Sequence, residues 1–170
     1  MIVPTQIDVQ GGSIVAMLHI STAPLQRNPI IVMCYGYNGT MCEVHRMSVK
    51  MARQCESFGL HMFRFDYRDH AHSIGDTTSI TMQRKIDDVL SVVEFINCCF
   101  RDKPPIYLVG FSDGARIVAE VSNFVNNPLG LIYWNPVFSM ARQTTPKHSE
   151  KDKSIIRDLK KILLSKNYMA

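Results

Sequence analysis

Apolar positions along the chain change rhythm from element to element, and the changes predict the order of elements. Residues 2–9 and 13–21 are β-prone and meet at Gly11-Gly12, a two-residue hairpin signal. Pro29 opens the uninterrupted run Ile30-Ile31-Val32-Met33-Cys34-Tyr35, which predicts a strand buried on both faces. Residues 43–58 put Val44, Met47, Met51 and Cys55 on one helical face, and Gly59 stops that helix. A second buried strand follows at 60–66, then a polar turn region through Asp76, Thr77 and Thr78. Residues 81–100 predict a long helix whose stripe is Ile86, Val89, Leu90, Val93 and Ile96. Pro104-Pro105 separates it from a strand at 106–109, and a helix follows at 113–126. A strand spans Pro128 to Trp134, and an amphipathic helix runs from Ser154 to about Lys166 on Ile155, Leu159, Ile162 and Leu163. Strands alternating with helices predict an α/β fold, a doubly wound and mostly parallel sheet carrying an N-terminal antiparallel hairpin.

Length fits this picture: 170 residues make one domain with a real core. The expected division is a core over 1–140 and a basic linker with its helix over 141–170, because apolar strands give way near residue 140 to Gln143-Thr144-Thr145-Pro146-Lys147-His148. The net charge of +4 resides in that tail. Residues 147–170 hold seven Lys or Arg against three acids, which leaves twelve of each before them. A neutral body offers no electrostatic footprint for nucleic acid. The basic helix could touch an acidic membrane surface, but a surface helix or a cap packed over a pocket is the favoured reading. No apolar run approaches the ~20 residues of a membrane span, and no signal peptide is recognisable, so the cytoplasm is expected. Five cysteines (Cys34, Cys42, Cys55, Cys98 and Cys99) have neither metal-ligand nor disulfide-scaffold spacing and read as small buried hydrophobes. No metal and no cofactor is expected.

The chemistry is carried by Gly110-Phe111-Ser112-Asp113-Gly114. A serine hydroxyl is a weak nucleophile at neutral pH and must be held exposed beside a base. The G-x-S-x-G pentapeptide between a strand and a helix exposes it on a strained turn, with glycines where side chains would collide with the neighbouring strand and helix. An oxyanion hole is also required. One donor is the N–H of Asp113, the residue after the nucleophile, at a helix N-terminus. The other is assigned to the N–H of Tyr37, with Gly36 as the fallback, in the glycine-rich loop Cys34-Tyr35-Gly36-Tyr37-Asn38-Gly39. Serine also favours helix N-caps, but the flanking glycines and the preceding strand select the nucleophile.

Together these features resemble the α/β-hydrolase superfamily, particularly its serine-aminopeptidase-like and monoacylglycerol-lipase-like branch, over roughly residues 25 to 140. Tyr35-Gly36 stands where that family usually has His-Gly. Asp66-Tyr67-Arg68-Asp69-His70-Ala71-His72-Ser73-Ile74-Gly75 is similar to its D-x-R-G-x-G-x-S-x-G turn, with Asp69 and Ala71 replacing two glycines. Trp134-Asn135-Pro136-Val137 resembles hydrolases associated with bacterial exosortase and exopolysaccharide systems. The resemblance implies a serine hydrolase acting on esters or related acyl bonds of a small molecule.

That family's triad continues after the serine with an acid and then a histidine. Here the sole histidine after Ser112 is His148, the candidate base; the acids are Glu120, Glu150, Asp152 and Asp158. Some family members place the acid after the strand that ends here at Trp134, where this chain has Asn135. Three readings stay open: a truncated or split hydrolase, a substitute histidine (His148, His70 or His72), and a non-catalytic binding module. A cut sheet would expose an edge that a protein partner or a second copy could cover. Asp66 and Arg68 read as stabilisers of the turn, and His19, His45 and His61 as surface or packing residues.

Overall fold

The computed structural model describes residues 1–23, 28–76, 80–125 and 128–137. Six strands form one sheet in the order β1-β2-β4-β3-β5-β6. They are β1 (Ile2–Val9), β2 (Gly12–His19), β3 (Ile30–Cys34), β4 (His61–Phe65), β5 (Ile106–Phe111) and β6 (Gly130–Trp134), with helices α1 (Met47–Ser57), α2 (Met82–Cys99) and α3 (Gly114–Val121). The hairpin β1–β2 and the β2–β4 pair are antiparallel, while β4–β3, β3–β5 and β5–β6 are parallel. This is the expected α/β sheet with its antiparallel hairpin.

The continuous apolar runs work as predicted, because both faces of the parallel strands are covered. Ile30, Val32, Cys34, Phe63, Phe65, Ile106 and Leu108 point into one core, against Ile86, Val89, Val92, Val93 and Ile96 of α2 and Ile117, Val118 and Val121 of α3. The alternate residues Ile31, Met33, Met62 and Val109 pack on the other face with Ala52 and Cys55 of α1. Two helix ends have a local cause. Thr81 caps α2 by accepting the Arg84 N–H through its hydroxyl at 3.1 Å. Gly59, with φ +79°, ends the α1 segment.

Several boundaries differ from the sequence reading. The hairpin turn is Gln10-Gly11, not Gly11-Gly12: Val9 pairs with Gly12, and Gly11 carries the positive φ of +81°. The helix expected over 43–58 begins as a 3-10 turn at Val44–Arg46, because His45 and Arg46 take left-handed backbone that an α-helix cannot continue. The helix after Ser112 ends at Val121 in place of 126, and β5 extends through Gly110 and Phe111. Cys34 and Cys55 are buried as expected, but Cys98 and Cys99 are exposed at the end of α2, where the helix turns them off its packed face. The helix expected over 154–166 lies outside the described residues. No described helix is long and apolar enough to cross a membrane.

Burial sets a pH dependence. His19, His61 and His70 all have their pKa lowered from the usual 6.5, with loss of solvent the largest cause in each. The fold therefore prefers the neutral rings, and the unfolded chain binds more protons just below pH 6.5. Stability is full above that value and is lost as the pH falls through it toward the lowered folded values. Thermal melts are expected to drop between pH 7 and pH 5, and a melting temperature flat across that range would contradict this.

Candidate active site

Ser112 stands at the carboxyl edge of the sheet, between the last residue of β5 and the first turn of α3. Its φ is +54°, in the left-handed region that a non-glycine residue enters only when its surroundings impose it. Those surroundings are visible. The Ser112 N–H donates to the Trp134 carbonyl at 3.0 Å, and the Ser112 carbonyl accepts from Val137 N–H at 3.1 Å and Ala115 N–H at 3.2 Å. The end of β6 and the start of α3 thus hold the serine from both sides. Phe111 and Trp134 pack edge to face alongside, with ring centroids 5.6 Å apart. The flanking glycines are there for space: a Cβ on Gly110 would lie 2.5 Å from the Ala115 Cα, and one on Gly114 would strike the Cys34 and Tyr35 carbonyls at the end of β3 and just after it. Ser112 Oγ has no hydrogen-bond partner among the described residues and is only half-buried.

The loop after β3 lies against this turn. A Cβ on Gly36 would sit 2.9 Å from the Ser112 Cβ and 3.4 Å from its Oγ, so only glycine permits the approach. The Gly36 N–H faces Glu43 Oε1 at 3.4 Å. Burial raises the Glu43 pKa, while hydrogen bonds from the Gly36 and Val44 backbone oppose the rise. The Gly36 N–H is thus engaged. The Tyr37 side chain, on the next residue, is exposed. The Asp113 carboxylate pairs with Arg116 Nη1 at 3.2 Å, one turn along α3.

The turn after β4 closes the other flank. Asp69 and Ala71, the two residues that replace glycines, have φ of +70° and +46°. The left-handed turn survives without glycine and carries strain of about 1–2 kcal/mol at a residue such as alanine. The buried Asp66 carboxylate holds the turn by accepting from Met41 N–H at 2.6 Å and from His72, backbone and Nδ1, at 3.3 and 2.9 Å. Arg68 reaches the buried Asp88 of α2 through its backbone N–H and Nε, and the Gln10 carbonyl through Nη1. Both residues act as turn stabilisers, as their sequence suggested. His72 is mostly exposed. His70 packs edge-on to Tyr35 and Tyr67, each ring centroid 6.1 Å away, and its buried Nε2 finds no hydrogen-bond partner. Neither histidine bonds Ser112.

Strand order, the left-handed serine and the packed glycine loop now form one arrangement that can be compared with known structures. GrgF, an alpha/beta hydrolase from a Penicillium species, superposes with a TM-score of 0.69 at 16% identity, over 94% of this chain and 52% of that one. This chain has the α/β-hydrolase fold. An alpha-beta serine hydrolase homologue from Coxiella burnetii matches with a TM-score of 0.65 at 22% identity, over 77% and 61% of the two chains. A member of the a/b serine hydrolases without a lid, from Xanthomonas campestris, gives 0.64 at 22% identity, over 83% and 66%. The chain therefore spans about half to two thirds of the α/β-hydrolase structures it matches. No protein-family model and no curated protein matches the sequence.

Of the predicted site residues, Gly36 packs against Ser112, and Tyr37 and Asp113 are their neighbours in the chain. His148 lies outside the described residues. Lys85 was not singled out from the sequence, although the structure buries it on the α2 face beside Tyr67. The signal was available: Lys85 precedes Val89 by four residues and Val92 by seven, which places it on the apolar stripe. Among the described residues no cluster of His, Cys, Asp and Glu has the arrangement of a metal site.

Proposed function

We propose that the chain is a serine hydrolase acting on carboxylic esters or related acyl bonds through an acyl-enzyme at Ser112. The observation that carries this reading is the left-handed Ser112 pressed against Gly36, a strained position with no packing benefit of its own. In the proposed reaction, Ser112 Oγ attacks the carbonyl carbon and gives its proton to a base. The N–H groups of Tyr37 and Asp113 hold the negative oxygen as it forms. Collapse of the tetrahedral intermediate breaks the bond to the leaving group, which takes the proton, and water then releases the acid by the same steps. His148, the sole histidine after Ser112, is the residue assigned to the base. The structural likeness to an alpha-beta serine hydrolase homologue and to an a/b serine hydrolase without a lid supports the reading.

One observation favours a second reading, an inert binding module: Ser112 Oγ has no hydrogen-bonded base among the described residues. A base-free site retains about 10³–10⁴-fold over water from its oxyanion hole and binding alone. Turnover of p-nitrophenyl butyrate separates the two. The hydrolase reading expects steady hydrolysis that Ser112→Ala reduces to the buffer rate and His148→Ala reduces by orders of magnitude. Equal rates for wild type and Ser112→Ala would leave the inert module.

A further inference from the structure

Glu43 holds a backbone conformation that suits glycine. Its φ is 56° and its ψ 169°, a combination that glycine enters freely and other residues reach only at a cost. The chain on either side is fixed. The Met41 N–H donates to the buried Asp66 carboxylate at 2.6 Å, and the Met41 carbonyl accepts from Ser48 Oγ and from Arg64 Nη1. The Glu43 N–H donates to the Thr40 carbonyl at 3.0 Å, and the Glu43 carbonyl accepts from the Arg46 N–H at 3.2 Å. A glycine at 43 would fit this path without strain, so it is the side chain that calls for a reason.

That side chain turns back across the loop. Its half-buried carboxylate accepts from the Gly36 N–H through Oε1 at 3.4 Å, and the Val44 backbone bonds it as well. Gly39 leaves it room, since a Cβ there would lie 3.0 Å from Oε1. Gly36 in turn is packed on Ser112, where a Cβ would lie 2.9 Å from the Ser112 Cβ and 3.4 Å from Oγ. The carboxylate and Ser112 therefore stand on opposite sides of one residue. Strain kept at Glu43 holds the acceptor that fixes Gly36.

We propose that Glu43 is a positioning residue, which by holding the Gly36 N–H sets the loop after β3 at its distance from Ser112 and so sets the rate at which Ser112 reacts. The effect on reactivity rests on the hydrolase reading; the hold on Gly36 does not.

The test compares the full chain with Glu43→Gly and Glu43→Gln. Ser112 of Glu43→Gly is expected to label with a fluorophosphonate about three- to tenfold more slowly than wild type, the range of one modest hydrogen bond. Its urea midpoint is expected to stay near that of wild type, because glycine takes the backbone at 43 without strain. Glu43→Gln keeps an acceptor oxygen of the same reach and is expected to recover most of the lost rate. Hydrogen exchange followed by NMR reads the contact itself: protection of the Gly36 amide should be lost in Glu43→Gly and kept in Glu43→Gln. Labelling of Glu43→Gly at or above the wild-type rate would overturn the proposal, and so would slow labelling that only tracks a fallen urea midpoint. A Glu43→Gln chain as slow as Glu43→Gly would overturn it too, since the acceptor is still present. A wild-type chain that does not label at all would sink the hydrolase reading and the claim on reactivity with it, while the Gly36 amide would still decide the hold on the loop.

Discussion

Replacing Asp88 by alanine is expected to destabilise the chain by about 3–5 kcal/mol, because it strands the Arg68 guanidinium in the interior without its partner. Both side chains are buried, at 8% and 1% exposure, and the contact joins the turn after β4 to α2. Arg68 also donates from its backbone N–H to Asp88 and from Nη1 to the Gln10 carbonyl of the hairpin turn. One carboxylate therefore ties three segments together. Burial is the larger influence on Asp88 and raises its pKa against the opposing pull of Arg68. The pair thus holds position more than it adds net stability. Replacing both residues together, Arg68→Met with Asp88→Leu, should cost far less than Asp88→Ala alone. Urea unfolding of the three variants measures this, and an Asp88→Ala loss below about 1 kcal/mol would contradict the burial argument.

The second large effect is expected at Gly36. A methyl group there would begin 2.9 Å from the Ser112 Cβ and 3.2 Å from the Phe111 carbonyl, so the loop and Ser112 must separate. Displacements of that order cost about 10²-fold in reactions that depend on placement. Gly36→Ala should label with a fluorophosphonate about 10²-fold more slowly than wild type while unfolding at a similar urea concentration. An unchanged labelling rate would mean that the loop does not take part in the reaction.

Most of this framework could be read from residue order, and the reasons differ by element. The strands at Ile30–Cys34 and His61–Phe65 were legible because a run buried on both faces has no polar interruption except where a partner exists inside. The strand, turn and helix around Ser112 were legible because strand, glycine, serine and helix coincide there. The hairpin turn was placed one residue late because two adjacent glycines hide which of them takes the positive φ; the pairing of Val9 with Gly12 decides it. Asp69 and Ala71 altered the glycine pattern without altering the turn, because the buried Asp66 and Arg68 hold it from within. Lys85 escaped notice because a lysine on a helix is ordinarily counted on the solvent side. Its depth depends on which face of α2 meets Tyr67, a contact between residues distant in sequence that periodicity alone does not specify.

As proposed, Ser112 is a nucleophile held ready by its strained turn. The most direct measurement is the site of modification after incubation of the full chain with a fluorophosphonate, read by mass spectrometry of its peptides. One phosphonyl adduct is expected, on Ser112, absent from Ser112→Ala. An unmodified wild-type chain, or an adduct that persists in Ser112→Ala, would contradict it.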